Sequence, residues 1–348
     1  MPGEIVLTVF LLIVGLILII KGGDWFVESS SKIAELSGIP HFIIGATIVS
    51  LGTTLPELIT SSIAAAQGQV DMAIGNAVGS VNANIGLIMA ISLLFMPHAF
   101  DKKAHLFKGL TMITSITVLF LLCIKGYLNA WLSIILLVIF IGFLIENIIT
   151  GRKQASNPKV DDNGLKPAVV ETNAETADVP ESPEDKAAAK KQKTKIILKN
   201  TLVFLIGAGC IVGGAKLLVD YGSKLAGFMH IPERIIAVTI VAIGTSLPEL
   251  VTTITSIVKK KHDLSIGNII GANVIDICLI LPICAMITGG TLPVSPTSLY
   301  IDLPFCIAFG VLAIIPALLT KKFSRVQGGI IMATYVAYLV LSIVPLGL

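Results

Sequence analysis

The chain has 348 residues, 54% of them hydrophobic and 14% charged, with a net charge of +3 and a mean hydropathy of +0.90. Soluble domains carry about 25% charged residues, so this composition excludes a soluble globular protein and points to a polytopic membrane protein, which the spanning-length apolar runs below make an all-α one. A small net charge spread along the chain gives no basis for a nucleic-acid partner, and no obligate protein partner is evident; the lipid bilayer is the expected surrounding.

The first apolar run, "EIVLTVFLLIVGLILII" within about 4–21, lacks a basic leader and is long enough to span. It is expected to remain as a transmembrane helix rather than be cleaved as a signal. Further apolar runs follow at about 40–66, 71–95, 107–124 and 129–150. The stretch 151–195 differs: it contains "NPKVDDNGLKPAVVETNAETADVPESPEDKAAAKKQK", without aromatics. Such a segment buries too little apolar area to offset its ordering entropy, so a flexible linker is expected. Apolar runs resume at about 196–220, 231–258, 263–288, 299–320 and 326–346. The expectation is ten helices in two sets of five, repeat 1 over 1–150 and repeat 2 over 196–348.

Short-loop charges set the orientation. Lys102, Lys103, Lys108, Lys259, Lys260, Lys261, Lys321, Lys322 and Arg325 fall on one side, against Lys125, Lys216, Lys224 and Arg234 on the other. Nine against four puts the linker in the cytoplasm and both termini outside. Cys123, Cys210, Cys278, Cys284 and Cys306 have no metal-ligand spacing and are expected as small buried hydrophobes. His41, His98, His105, His230 and His262 fall at expected helix ends or loops and are given no role.

The chain repeats itself. "ATIVSLGTTLPEL" (46–58) laid on "VTIVAIGTSLPEL" (238–250) gives nine identities in thirteen at an offset of 192. The same offset carries Gly75-Asn76 onto Gly267-Asn268, Gly79 onto Gly271 and Ile39-Pro40 onto Ile231-Pro232. Such self-similarity is an internal duplication. Five helices, an odd number, separate equivalent positions, so the second copy is expected upside down: an inverted-topology repeat that builds a midplane site from broken helices.

Pro56 and Pro248 lack an N–H and crowd the preceding turn, freeing carbonyls near Ser50 to Thr53 and Ala242 to Thr245; Gly52 and Gly244 let the chain bend. Unsatisfied backbone in hydrocarbon costs several kcal/mol per group and persists only where something satisfies it. A cation would do so. The hydroxyls of Thr53, Thr54, Thr245 and Ser246 add oxygens, and Glu57 and Glu249 add charge. The next helix of each half, "GNAVGSVNANIG" (75–86) and "GNIIGANVIDIC" (267–278), supplies the opposing wall. Its small residues permit close helix approach. Asn76 and Asn268 can hydrogen-bond the loosened backbone, and Ser80 with Asn84 shares a helix face whose counterpart is Ala272 with Asp276. Glu57, Glu249 and Asp276 are the deepest acids in the apolar runs; at about 2.5–3.5 kcal/mol each on the insertion scale, they call for a functional reason. Oxygen ligands with two or three carboxylates and no His or Cys describe a hard-cation site suited to Ca²⁺.

These two segments resemble the alpha-repeats (about 40–95 and 231–288) of the sodium/calcium exchanger family, prokaryotic type, within the cation/calcium antiporters. The resemblance implies a non-enzymatic antiporter of the cell membrane. It would have no cofactor, with Ca²⁺ and Na⁺ as substrates, and work by alternating access with Na⁺ entry driving Ca²⁺ out. It implies Glu57 and Glu249 as central Ca²⁺ ligands shared with Na⁺, and carbonyls of Thr53 and Thr245 on Ca²⁺. It further implies hydroxyls of Thr54 and Ser246 on Na⁺, carbonyls of Ser50 and Ala242, Ser80 as a Na⁺ ligand, and Asn84 and Asp276 flanking the centre. The family usually has Ser where this chain has Ala272, a methyl that cannot coordinate, which puts the stoichiometry in question. Two relatives of the same superfamily remain as alternatives, a proton/calcium and a potassium-dependent exchanger. The proton-coupled type has a glutamate soon after the GN pair, where this chain reads "AVGS" and "IIGA". An intramembrane carboxylate enzyme is the rival from another class, and duplicated glutamates that each follow a proline speak against it.

Overall fold

The computed structural model describes residues 2–36, 50–100, 102–156, 183–258 and 262–343. Among them, eight helical spans are long and apolar enough to cross a membrane. Their outer faces are apolar, with Trp131 79% and Leu319 76% exposed. The inverted balance, grease outside and polar groups inside, is what a bilayer solvent requires.

The spans that fall short of this length are the two carrying "LPEL". The first is divided into α2 (Ser50–Thr53) and α3 (Leu55–Ala66). The second comprises α9 (Glu233–Ile236), a π-helical turn Ala237–Val241, α10 (Ala242–Thr245) and α11 (Leu247–Val258). Thr54 and Ser246 are the joints, and each proline sits in the first turn of the helix that follows. Proline is tolerated there because that turn's N–H groups have no partner anyway. The breaks therefore fall where the motif predicts. The part of the first span before Ser50, with Gly45 and His41, lies outside the described residues.

The repeat is preserved element by element. At the offset of 192, α2 corresponds to α10, α3 to α11, and α4 (Val70–Ala83) to α12 (His262–Ile275). Both inner helices then pass into π-helical turns, Asn84–Met89 and Asp276–Ile280, that begin at equivalent residues. The two inner helices form the centre of the molecule, with Met72 to Ala83 and Ile269 to Cys278 buried throughout. After these turns come α5 (Ala90–Phe95) in the first half and α13 (Leu281–Ile287) in the second.

On the periphery, α1 (Pro2–Leu36) packs along α8 (Pro183–Met229). A Cβ on Gly15 would lie 3.0 Å from the Gly214 carbonyl, and one on Gly22 would lie 2.8 Å from that of Gly207. The numbers rise along one helix as they fall along the other, so the pair is antiparallel and in backbone contact. These glycines are themselves related by the 192 offset, Gly15 to Gly207 and Gly22 to Gly214.

The remaining spans are α6 (Lys102–Cys123), α7 (Ala130–Ser156), α14 (Leu303–Thr320), which follows a π-helical turn Ser298–Asp302, and α15 (Arg325–Ile343). Two short antiparallel ribbons tie their ends: β1 (His98–Ala99) with β4 (Lys322–Phe323), and β2 (Tyr127–Asn129) with β3 (Thr291–Pro293).

Several expectations need correction. The linker expected over 151–195 is helical at both ends, to Ser156 and from Pro183, while 157–182 lies outside the described residues. Its Ala, Glu and Lys content, read as disorder-prone, also has high helix propensity, and an adjoining transmembrane helix removes the nucleation cost. Likewise α1 continues well beyond residue 21, with Lys21 and Asp24 paired at 3.8 Å one turn apart. Lys216 and Lys224 lie within α8 rather than in a loop. Arg234 is not a loop charge either: it is 4% exposed and paired with Asp302, a fourth fully buried acid. His105 is buried too, its ring packed beside those of Phe100 and Phe323.

Candidate ion-binding site

The two breaks, the two inner helices and their π-helical turns bring the candidate residues into one buried region. Glu57, Glu249, Asp276, Ser80, Asn84, Thr245 and Ala242 are all 0% exposed, Thr54 and Ser246 1%, and Thr53 6%. Glu57 lies within electrostatic range of both Glu249 and Asp276. Each half serves the other's carboxylate. Ser246 of the second break donates its hydroxyl to Glu57 Oε1 at 3.1 Å, and Thr53 of the first break places its hydroxyl at Glu249.

The inner helices brace the breaks. Asn76 donates to the Glu57 carbonyl at 3.3 Å and to Ser61 at 2.9 Å, and accepts from the Thr245 hydroxyl at 3.1 Å. Instead of the backbone loosened upstream of the prolines, as expected, Asn76 thus bonds a carbonyl inside α3 and the Thr245 side chain, and Asn268 Nδ2 has no partner. The Ala242 carbonyl is a focus for donors: Ser80 Oγ at 3.5 Å, Thr245 Oγ1 at 3.3 Å and the Ser246 N–H at 3.1 Å. Ser80, on the helix opposite, therefore reaches the broken helix at the carbonyl expected to bear a ligand atom. Close approach makes this possible, since a Cβ on Gly79 would lie 2.8 Å from Val238 Cα. Ser50, in α2, is the counterpart of Ala242, in α10.

What remains is a concentration of buried acceptors. Glu57 Oε2, both oxygens of Glu249, both of Asp276 and Asn84 Oδ1 have no hydrogen bond of ordinary geometry. Buried acceptors of this kind are rare in native interiors and are expensive. Their natural complement is a cation without protons to spare. Among the described residues no three His, Cys, Asp or Glu side chains converge tightly enough to chelate one metal by themselves. A cation held here would draw on hydroxyl and carbonyl oxygens as well, in keeping with the flexible oxygen sphere Ca²⁺ accepts.

A profile of the family described as "Sodium/calcium exchanger protein" matches residues 7–148 and 199–344, nearly the whole chain outside the linker. The chain belongs to this sodium/calcium exchanger family. It is 30% identical over 346 residues to the sodium/calcium exchanger MaX1 of Methanosarcina acetivorans, covering 97% of this chain and 98% of that one. A membrane protein of Methanocaldococcus jannaschii is 31% identical over 341 residues, covering 95% and 97%. Among solved structures, the sodium-calcium exchanger NCX_Mj soaked with Na⁺ and Sr²⁺ superimposes with a TM-score of 0.61 at 26% identity, covering 97% of this chain and 98% of that one. Membership in the sodium/calcium exchanger family makes the chain a multi-pass cation/Ca²⁺ antiporter rather than an enzyme, with Na⁺ and Ca²⁺ the family's transported ions.

Several buried polar residues carry no signal in the repeat. Asn273 accepts from Asn84 Nδ2 at 3.1 Å, joining the two inner helices beside the site. Asn82 donates to the Asp302 carbonyl at 3.2 Å. Their equivalents at the 192 offset are Val81 and Val274, so a comparison of duplicated residues passes over both. The available signal was a lone amide within an apolar helix.

Proposed function

We propose that this antiporter exchanges Na⁺ for Ca²⁺ across the cell membrane by alternating access, in the direction that extrudes Ca²⁺. Glu57 and Glu249 supply the two negative charges for Ca²⁺, with the carbonyls of Thr53 and Thr245. Na⁺ is served by the same glutamates, the hydroxyls of Thr54, Ser246 and Ser80, and the carbonyls of Ser50 and Ala242. Asn84 and Asp276 wall the centre. The observation that carries this reading is the pair of buried glutamates, each faced by a hydroxyl of the opposite break, with Glu57 Oε2 and both Glu249 oxygens left without a hydrogen bond of ordinary geometry.

Two symmetric features support an inverted repeat of ten helices. The equivalent helices α1 and α8 pack antiparallel. The ribbons join the loops after the expected third and ninth spans, and those after the fourth and eighth. Odd pairs with odd and even with even, as alternating crossings demand. The orientation with both termini outside and the linker cytoplasmic rests on the charges near the span ends, from which the buried Arg234 is withdrawn.

The test is ⁴⁵Ca²⁺ flux into proteoliposomes of the full chain under Na⁺, K⁺ and H⁺ gradients imposed separately. Uptake driven by an outward Na⁺ gradient alone is expected. Uptake that requires a proton gradient would transfer the chain to the proton-coupled type, and one that requires K⁺ to the potassium-dependent type.

A further inference from the structure

The second broken helix begins with an ion pair that the exchange reaction does not use. Arg234, in the first turn of α9, directs Nη1 at both carboxylate oxygens of Asp302, each at 3.1 Å, and Nη2 at the Ser342 carbonyl at 3.2 Å. Tyr338 of α15 donates its hydroxyl to Asp302 Oδ1 at 3.2 Å. Asp302 is fully buried and Arg234 nearly so. Removing such charges from water is costly, and an apolar pair of similar volume commonly folds as well or better. Its presence therefore asks for a reason beyond stability.

The duplication does not supply one. The position equivalent to Arg234 is Phe42, and α6, which follows the first-half ribbon strand as the Asp302 helix follows its own, contains no carboxylate from Lys102 to Cys123. The pair is thus a device of the second half alone.

Its geometry indicates what it does. Asp302 ends a π-helical turn, and its backbone carbonyl accepts from Asn82 at 3.2 Å. Asn82 lies on the first inner helix, two residues from Ser80. One residue therefore holds two helices: its side chain fixes the start of the second broken helix, and its carbonyl fixes the first inner helix. Those two helices meet further on where Ser80 Oγ reaches the Ala242 carbonyl at 3.5 Å. Arg234 and Ala242 are eight residues apart, about 12 Å along a helix, so a tilt at the clamp displaces the carbonyl against the hydroxyl.

We propose that Arg234 and Asp302 are positioning residues that set the spacing between Ser80 and the Ala242 carbonyl, and through it the apparent affinity for Na⁺. This rests on the reading of Ser80 and Ala242 as Na⁺ ligands given above.

The experiment compares the parent with Arg234→Met/Asp302→Leu, which leaves no unpaired charge, and with Arg234→Lys, which keeps the charge but loses the planar fork. Each full-length protein is reconstituted for ⁴⁵Ca²⁺ exchange, and its melting temperature is followed in detergent as NaCl is titrated. Both variants should fold. The Na⁺ concentration for half-maximal exchange should rise about threefold to tenfold in the double variant and by about half that factor in Arg234→Lys, the range that coupling through a packed network spans. Half-saturation by Ca²⁺ should move by less than about twofold, a split that general destabilisation would not produce. Parent-like Na⁺ dependence in a folded double variant overturns the proposal. Should that variant not fold, parent-like Na⁺ dependence in Arg234→Lys overturns it equally. If the parent itself shows no Na⁺-driven flux, the exchange reading fails, and the Na⁺-dependent melting shift still decides whether the clamp tunes Na⁺ binding.

Discussion

The two halves of the site share a backbone and differ in their polar tips. The breaks and the starts of the π-helical turns recur at one offset, at Thr54 and Ser246 and at Asn84 and Asp276. In the first half Asn76 makes three hydrogen bonds, Ser80 reaches across to the second broken helix and Asn84 is tied to Asn273. At the same places in the second half, Asn268 Nδ2 is unpaired, Ala272 has no polar atom, and both oxygens of Asp276 lack donors. Helix geometry is set by many small contacts and survives single substitutions, whereas ligand chemistry resides in one or two atoms per residue. A duplicated site can therefore diverge in ion preference without any change of fold.

The comparison breaks most sharply at the residues the halves have in common. Glu57→Gln and Glu249→Gln each remove one of the two charges proposed to offset Ca²⁺ in a low-dielectric site, and an amide oxygen does not replace it. Leaving a buried charge without its partner costs about 3–5 kcal/mol, so Na⁺-driven ⁴⁵Ca²⁺ uptake should fall by on the order of 100-fold or more in either variant. Size-exclusion profiles should stay monodisperse. Near-parental uptake in both would remove the glutamates from the site.

That pair was legible in the sequence because proline and glutamate together are costly inside an apolar run unless a cation satisfies them, and because the run occurs twice. Helix identity, the position of both breaks and the wall formed by the GNxxG helices were legible for the same reason. The π-helical turns of the inner helices were not, since these helices are buried on all sides and have no apolar stripe whose phase an extra residue could shift. The buried pair of Arg234 and Asp302 was also hidden. The two residues are far apart in the chain, and an arginine two residues after a proline at a span's edge reads as a loop charge until its partner is seen.

The next largest effect separates the halves. Ser80→Ala gives the first half the side chain that the second half carries at Ala272. It removes the hydroxyl facing the Ala242 carbonyl, at a cost of about 1–1.5 kcal/mol for one hydrogen-bond-sized contact. The Na⁺ concentration for half-maximal exchange should rise about fivefold to tenfold, while Ca²⁺ half-saturation measured without Na⁺ stays nearly constant. A parallel loss of Ca²⁺ affinity would mean that Ser80 serves both ions, and would weaken the division of labour drawn above.

The reverse exchange, Ala272→Ser, should have a smaller effect of opposite sign. Ala272 is 1% exposed in a helix of small residues, where an added hydroxyl is a modest volume change. If Na⁺ in the second half accepts water or a long bond in place of a protein oxygen, the hydroxyl should lower the Na⁺ half-saturation by about 2–5-fold, for at most about 1 kcal/mol regained. Unchanged Na⁺ dependence would mean that Na⁺ does not occupy that place, and would strengthen the proton-coupled alternative.

Asp276→Asn has the smallest expected effect and asks whether the third carboxylate is needed as a charge. The substitution gives the second half the residue that the first half has at Asn84, with nearly the same shape. In the proposed site Glu57 and Glu249 supply two negative charges, enough to balance a divalent cation; a third in the same low-dielectric region would add repulsion without a partner. Asp276 then acts through its oxygens and its shape, and Asn keeps one oxygen and the volume. Maximal Na⁺-driven exchange should change by less than about 0.5 kcal/mol in activation free energy, roughly twofold in rate. Abolished Ca²⁺ transport in a folded Asp276→Asn protein would show instead that the asymmetric carboxylate carries charge during exchange, and that the halves differ in electrostatics as well as in ligand atoms.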